Sequence, residues 1–256
     1  MSVREESSMV NNRLVILASL AFVTSSPVSA DGLHSSLSFP QCTDVELSSN
    51  FTQLDEMRYD VLRKGKKIGS HIIQFNSTDQ GLKIRAHTKM KVKLLFVTLF
   101  KYEYISEELW CGDKLLSIET RVNDNGDKTN TTLALTDKGY VADTPQGTDI
   151  LADGFQSTNH WNIAVTSASQ VFNTITGELN DVSYKPAREL ELETIDGQKL
   201  VTEYQVTGDL QIRSFYDGAN NWSGMAFNHK DGSPIEFRCV KCGFPDESAS
   251  TVSSAQ

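Results

Sequence analysis

Between Leu82 and Phe96 the chain alternates almost without a break. Leu82, Ile84, Ala86, Met90, Val92, Leu94 and Phe96 fall on one parity, and Lys83, Arg85, His87, Lys89, Lys91 and Lys93 fall on the other. Successive side chains of a β-strand point to opposite faces, so this period of two describes a long strand with one apolar and one cationic face. Residues 82–92 alone extend roughly 35 Å at about 3.3 Å per residue, whereas ordinary strands run to about 5–6 residues. A strand of that length needs a large curved sheet around it. The pattern constrains architecture and names no reaction.

Turn signals divide the rest of the chain. Lys64-Gly65, Gln80-Gly81, Asn125-Gly126, Lys138-Gly139, Asp196-Gly197 and Asp231-Gly232 are hairpin cues, because glycine supplies the positive φ that tight turns require. Between them lie strand-like segments at Arg58–Arg63, Ile68–Asn76, Thr129–Thr136, Lys199–Thr207, Gln211–Asp217, Asn221–His229 and Ile235–Val240. No segment past residue 30 sustains a helical period. From Gln156 to Thr176 the strand rhythm lapses, and a short helix or packed loop fits best. The expectation is an all-β fold: one large curved antiparallel meander sheet, a half-barrel or open barrel, with one short helical or irregular insertion.

The ends read differently. Arg13, the apolar run 14–23 and the small residues Val28-Ser29-Ala30 have the order of a secretory signal, with cleavage expected near Ala30. A membrane anchor needs about 20 apolar residues, about twice this run. Glu5 and Glu6 are unusual in such a leader, and translation from Met9 instead of Met1 removes them. The expected division is a signal peptide at 1–30, a flexible lead-in at 31–54, the β domain at 55–243 and a disordered tail at 244–256. The protein is then periplasmic or secreted. Residues 1–30 carry two basic and two acidic residues, so the mature chain keeps the formal charge of −9. An acidic chain argues against general nucleic-acid binding, which needs a basic footprint.

Several stretches together resemble an uncharacterised family of exported bacterial β-proteins, a domain of unknown function. They are Tyr59-Asp60-Val61 with Ile68-Gly69-Ser70-His71, Glu108-Leu109-Trp110 with the run from Thr120 to Gly126, His160-Trp161-Asn162 with Thr176-Gly177, and Phe215-Tyr216-Asp217 with Trp222. The resemblance covers about residues 55–240. It implies a periplasmic protein with a large antiparallel sheet, similar in outline to the half-barrel lipoprotein carriers, and carries over no chemistry. The cysteines depart from the family pattern.

Cys42, Cys111, Cys239 and Cys242 suit disulfides in an exported chain, and four cysteines allow three connectivities. Cys239-Val240-Lys241-Cys242 also has redox or half-metal-site spacing, but lacks the strand-to-helix context of a thioredoxin motif. A bridge between its cysteines needs the chain to turn, since a continuing strand points them to opposite sides. None of the five histidines has metal-ligand spacing. Serine elbows, phosphate loops and calcium loops are absent. No metal or cofactor is expected.

The favoured function is a soluble exported binding or carrier protein, non-catalytic, for a hydrophobic or lipid-like envelope ligand. Leu94, Phe96, Phe100, Tyr102, Tyr104 and Trp110 are the candidate ligand-binding residues, with a plain core row as the competing explanation. Lys83, Arg85, Lys89, Lys91 and Lys93 form a candidate stripe for an anionic partner such as a membrane surface, weighed against a solvated face paired with Lys101, Glu103 and Glu107. An envelope-polymer hydrolase is the alternative, and it requires His71, Glu108 or His160 to converge in one cleft. A scaffold pairing through its sheet edges is the third reading.

Overall fold

The alternation at 82–92 forms the body of β3 (Gly81–Leu94), which pairs along its length with β4 (Val97–Cys111). The computed structural model describes residues 42, 56–94, 97–195 and 197–243. The expected signal segment, the tail 244–256 and the lead-in apart from Cys42 lie outside the described residues. Everything described belongs to one compact unit, 39–256.

The first half is a run of hairpins: β1 (Glu56–Arg63), β2 (Lys66–Thr78), β3, β4, β5 (Lys114–Asp124), β6 (Asp127–Thr136), β7 (Gly139–Thr144) and β8 (Gly147–Leu151). The second half contains β9 (Gln156–Ser157), β10 (Gln170–Phe172), β11 (Leu179–Thr194), β12 (Gly197–Gly208), β13 (Ile212–Asp217), β14 (Trp222–Asn228) and β15 (Pro234–Lys241). At the Asn125-Gly126 turn both residues have positive φ, 56° and 112°, as the tightest hairpin turn demands. The irregular interval expected at 156–176 holds the short strands β9 and β10 and a single 3₁₀ turn, Ile163–Ser167, capped by the Asn162 side chain.

One sheet contains all of these strands, in the order β8-β7-β6-β5-β4-β3-β2-β1-β15-β14-β13-β12-β11-β10-β9. The two meanders meet where β1 pairs antiparallel with β15. The edge strands β8 and β9 are adjacent in sequence but not hydrogen-bonded to each other. The peptides linking Leu151 to Gln156 reach at most about 19 Å at about 3.8 Å per residue, so the sheet curls until its edges face each other. Phe155 in this link packs on Tyr140 of β7 and Phe172 of β10, at ring distances of 5.0 and 6.1 Å. A buried phenylalanine fills the seam that hydrogen bonds leave open.

The β3–β4 hairpin outruns its neighbours. Pairing with β2 reaches only Met90, and pairing with β5 begins at Tyr102. Beyond those points 91–94 and 97–101 form a two-stranded arm, with Lys91 opposite Lys101.

The disulfides are Cys42–Cys111 and Cys239–Cys242. Register along β15 shifts between Tyr59↔Cys239 and Arg58↔Lys241, which leaves Val240 as an extra residue. This bulge reverses the alternation, so the chain makes the turn that a local bridge needs. Cys42–Cys111 closes a loop of 69 residues, worth about 4 kcal/mol in the chain-entropy account of cross-links.

Candidate functional site: a pocket inside the barrel

The inner face of β4 decides how the interior is filled. Tyr104, Ser106 and Glu108 share one parity, opposite Thr88, Ala86 and Ile84 of β3. Glu108 is 1% exposed. Its Oε2 accepts hydrogen bonds from the indoles of Trp110 (2.8 Å) and Trp161 (3.0 Å), and its Oε1 accepts from the Asn159 amide at 2.7 Å. Asn159 also accepts from the Tyr104 hydroxyl at 2.8 Å, and that hydroxyl is 2.8 Å from Thr174 Oγ1. Trp161 packs edge-on against Phe75 and Trp110. The irregular segment is therefore an internal plug, anchored on β4 by buried hydrogen bonds and aromatic edges.

The plug leaves one part of the interior unfilled. A pocket of about 390 Å³ remains between it, strands β2–β4 and strands β13–β15. At its buried end stand His71, Thr88, His160 and Trp222. Its mouth carries the half-buried side chains of Met90, Tyr102, Leu210, Ile212, Met225 and Phe227, and Ile175, which is 45% exposed. No Lys, Arg, Asp or Glu lines it.

The two histidines share Trp222 as a neighbour. His71 meets the indole edge-on at 5.7 Å, and His160 stacks on it at 5.8 Å. His71 Nδ1 lies 2.8 Å from Thr88 Oγ1. The His160 backbone carbonyl accepts from the Tyr216 hydroxyl at 2.9 Å. Burial disfavours a charged ring and holds His160 down to about 4. Burial, with the nearby His160 and His87, holds His71 down to about 3. Burial pushes the Tyr104 hydroxyl up to about 12, against the hydrogen bonds it makes. At neutral pH the buried end is polar but uncharged.

Of the expected ligand-binding residues, Tyr102 and Tyr104 line this pocket. Phe100 stacks beside Tyr102 at 6.4 Å, and Trp110 belongs to the Glu108 cluster. Phe96 and the side chain of Leu94 lie outside the described residues. His71, His160 and Glu108 share the inner face, and the structure brings the two histidines together while Glu108 is engaged by the plug. The wall from β13–β15 was missed: Ile212, Met225, Phe227 and Phe237 alternate legibly as strand residues, but sequence does not say which strands face β3 across a barrel.

On the outer face of β3, Lys83 and Arg85 pair with Glu107, the former at 2.9 Å, and Lys89 pairs with Glu103 at 3.2 Å. His87 also meets Glu103, at 3.1 Å. These partners hold Glu103 and Glu107 below the ordinary carboxylate range, led by hydrogen bonds from His87 and Lys83 respectively. Lys91 faces Lys101, and the Lys93 side chain lies outside the described residues. A larger groove of about 570 Å³ lies outside the barrel, under the β11–β12 hairpin, where Leu190 and Leu192 cover Phe215 and Ala226. Arg213 and Glu236 share its lining. The inner pocket is the better candidate, because its walls are mostly apolar and its few polar groups converge.

The fold and site define an all-β, barrel-like protein with an apolar internal pocket. The chain belongs to the DUF6134 family, a domain of unknown function, whose pattern matches residues 59–240. It is similar in fold to the β-barrel-like protein of domain of unknown function DUF1849 from Brucella abortus. That likeness has a TM-score of 0.53 at 10% identity and covers 75% of this chain and 97% of that one. No curated protein matches the chain.

Proposed function

We propose that this is an exported, non-catalytic binding or carrier protein, and that it holds a small hydrophobic or lipid-like ligand in the pocket inside its barrel. The observation that carries the reading is the pocket of about 390 Å³ with apolar walls and no lining Lys, Arg, Asp or Glu. Apolar pockets of roughly 300–1,000 Å³ with a few placed polar groups are the usual form of small-molecule sites. The paired cysteines support export, since such bonds persist in oxidising compartments. The hydrolase alternative draws less support: Glu108 gives both carboxyl oxygens to the plug, and His71, held near 3, is a weak base at neutral pH. An anionic membrane surface is a further proposed partner, met by Lys91 and Lys101 at the base of the arm, because Lys83, Arg85 and Lys89 already have carboxylate partners.

Titration with N-phenylnaphthylamine, a neutral fluorophore that brightens in apolar surroundings, tests the reading. Saturable enhancement is expected, and Met225→Trp, which fills the mouth, is expected to remove most of it. Absence of saturable enhancement with the folded wild-type protein would overturn the proposal.

A further inference from the structure

The pocket has a polar end that the fold itself does not satisfy. Among the described residues, two buried side-chain polar atoms lack a hydrogen-bond partner: His160 Nδ1 and Tyr184 Oη. Native interiors leave few such atoms, and each calls for an explanation. His160 is 6% exposed and lines the pocket. Its ring is held by stacking on Trp222 with an interplanar angle of 23°, and its carbonyl is fixed by Tyr216. The Tyr184 ring packs against it at 6.4 Å. The imidazole is thus positioned at the inner end of a cavity whose rim is apolar, with Nδ1 covered by its surroundings and without a partner.

We propose that the ligand enters polar end first, and that this end is an uncharged oxygen group, a hydroxyl, hydrogen-bonded to the His160 imidazole. The inference rests on the pocket being a binding site, as argued above. A hydroxyl suits either neutral tautomer, because it donates to a bare nitrogen and accepts from an N–H. A carboxylate or ammonium does not suit the site. No side chain of opposite charge lines the pocket, and burying an ion without a partner is strongly unfavourable. The neighbouring imidazole His71 supplies no counter-charge, since burial keeps it unprotonated at neutral pH. The tail then lies along Ile212, Met225 and Phe227 towards the mouth. The volume is near the lower end of the roughly 300–1,000 Å³ range of small-molecule pockets, which favours a single-chain or single-ring alcohol over a two-chain lipid.

Competition against N-phenylnaphthylamine with decanol, decanoate and decyltrimethylammonium at neutral pH reads this directly. Decanol is expected to compete at a concentration at least about tenfold lower than either ion, the penalty of burying an unpaired charge. In His160→Phe, with folding checked by its melting transition, decanol affinity normalised to fluorophore affinity is expected to fall about fivefold or more, as a hydrogen bond in a buried site is lost. If the fluorophore does not bind at all, the pocket reading itself fails. If it binds but decanoate competes as well as decanol, or His160→Phe leaves the normalised decanol affinity unchanged, the uncharged hydroxyl at His160 is overturned while the pocket stands.

Discussion

His71 and His160 are buried titratable rings, and their burial has a measurable consequence. In the unfolded chain each takes up a proton as pH falls below about 6.5. In the folded chain they resist until about 3 and about 4. The unfolded state therefore binds more protons throughout that interval, so stability falls as pH falls from about 6.5 towards 4. At about pH 5 the loss is of order 2 kcal/mol for each histidine. The depressed carboxyls of Glu103 and Glu107 act in the same direction but only at lower pH, so the interval between about 6.5 and 5 belongs to the histidines. Urea unfolding at both ends of that interval is expected to show the drop in wild type and roughly half of it in His160→Phe. An equal drop in both proteins contradicts the placement of a neutral, buried His160. In the sequence these residues were visible only as lone histidines. Nothing local tells that residues 71 and 160 meet the same indole.

Strands were the most legible elements and the plug the least. The β3 alternation is written in adjacent residues, because one face meets the interior and the other meets water. The same parity argument allows the charged row of β3 to pair with Glu103 and Glu107 of β4, but which cation meets which carboxylate depends on the register, which sets Arg85 opposite Glu107 and Lys89 opposite Glu103. β11 is not legible because half of its residues are exposed, Val182 alone is buried and Pro186 interrupts it, so it lacks a sustained apolar parity. The plug has no period at all. Its structure comes from partners such as Glu108, which lies 51 residues from Asn159 and 53 from Trp161, and sequence separation conceals such pairs. Replacing Glu108 with Leu strands two indole N–H groups and one amide in the interior. The cost of each is about 1–3 kcal/mol. Glu108→Leu is expected to lose about 3 kcal/mol or more in equilibrium unfolding and to speed hydrogen exchange across 157–176. Wild-type stability with unchanged exchange there contradicts the role of Glu108 as the anchor of the plug.

At the scale of the whole molecule, two hairpin meanders share the β1–β15 junction and return to a seam filled by Phe155. Hairpins are readable where a turn signal joins two strands, as at Asn125-Gly126 and Asp231-Gly232, whereas the parallel pair β9–β10 that ends the second run has no such signal. The junction is not readable either, because β1 and β15 come from opposite ends of the domain and their pairing leaves no local mark. The length of β3 implies the curvature, and it is this curvature that creates an inside. The plug occupies part of that inside, and the histidine-floored pocket is what remains. The proposed occupant of this space is a small neutral amphiphile. Native mass spectrometry of the protein isolated from its native cells is the decisive measurement. The expected result is a mass increment on the folded protein that disappears on denaturation and is recovered in solvent extract as an uncharged, hydroxyl-bearing apolar molecule. Bare protein mass under gentle ionisation, with an extract free of any such molecule, would contradict it.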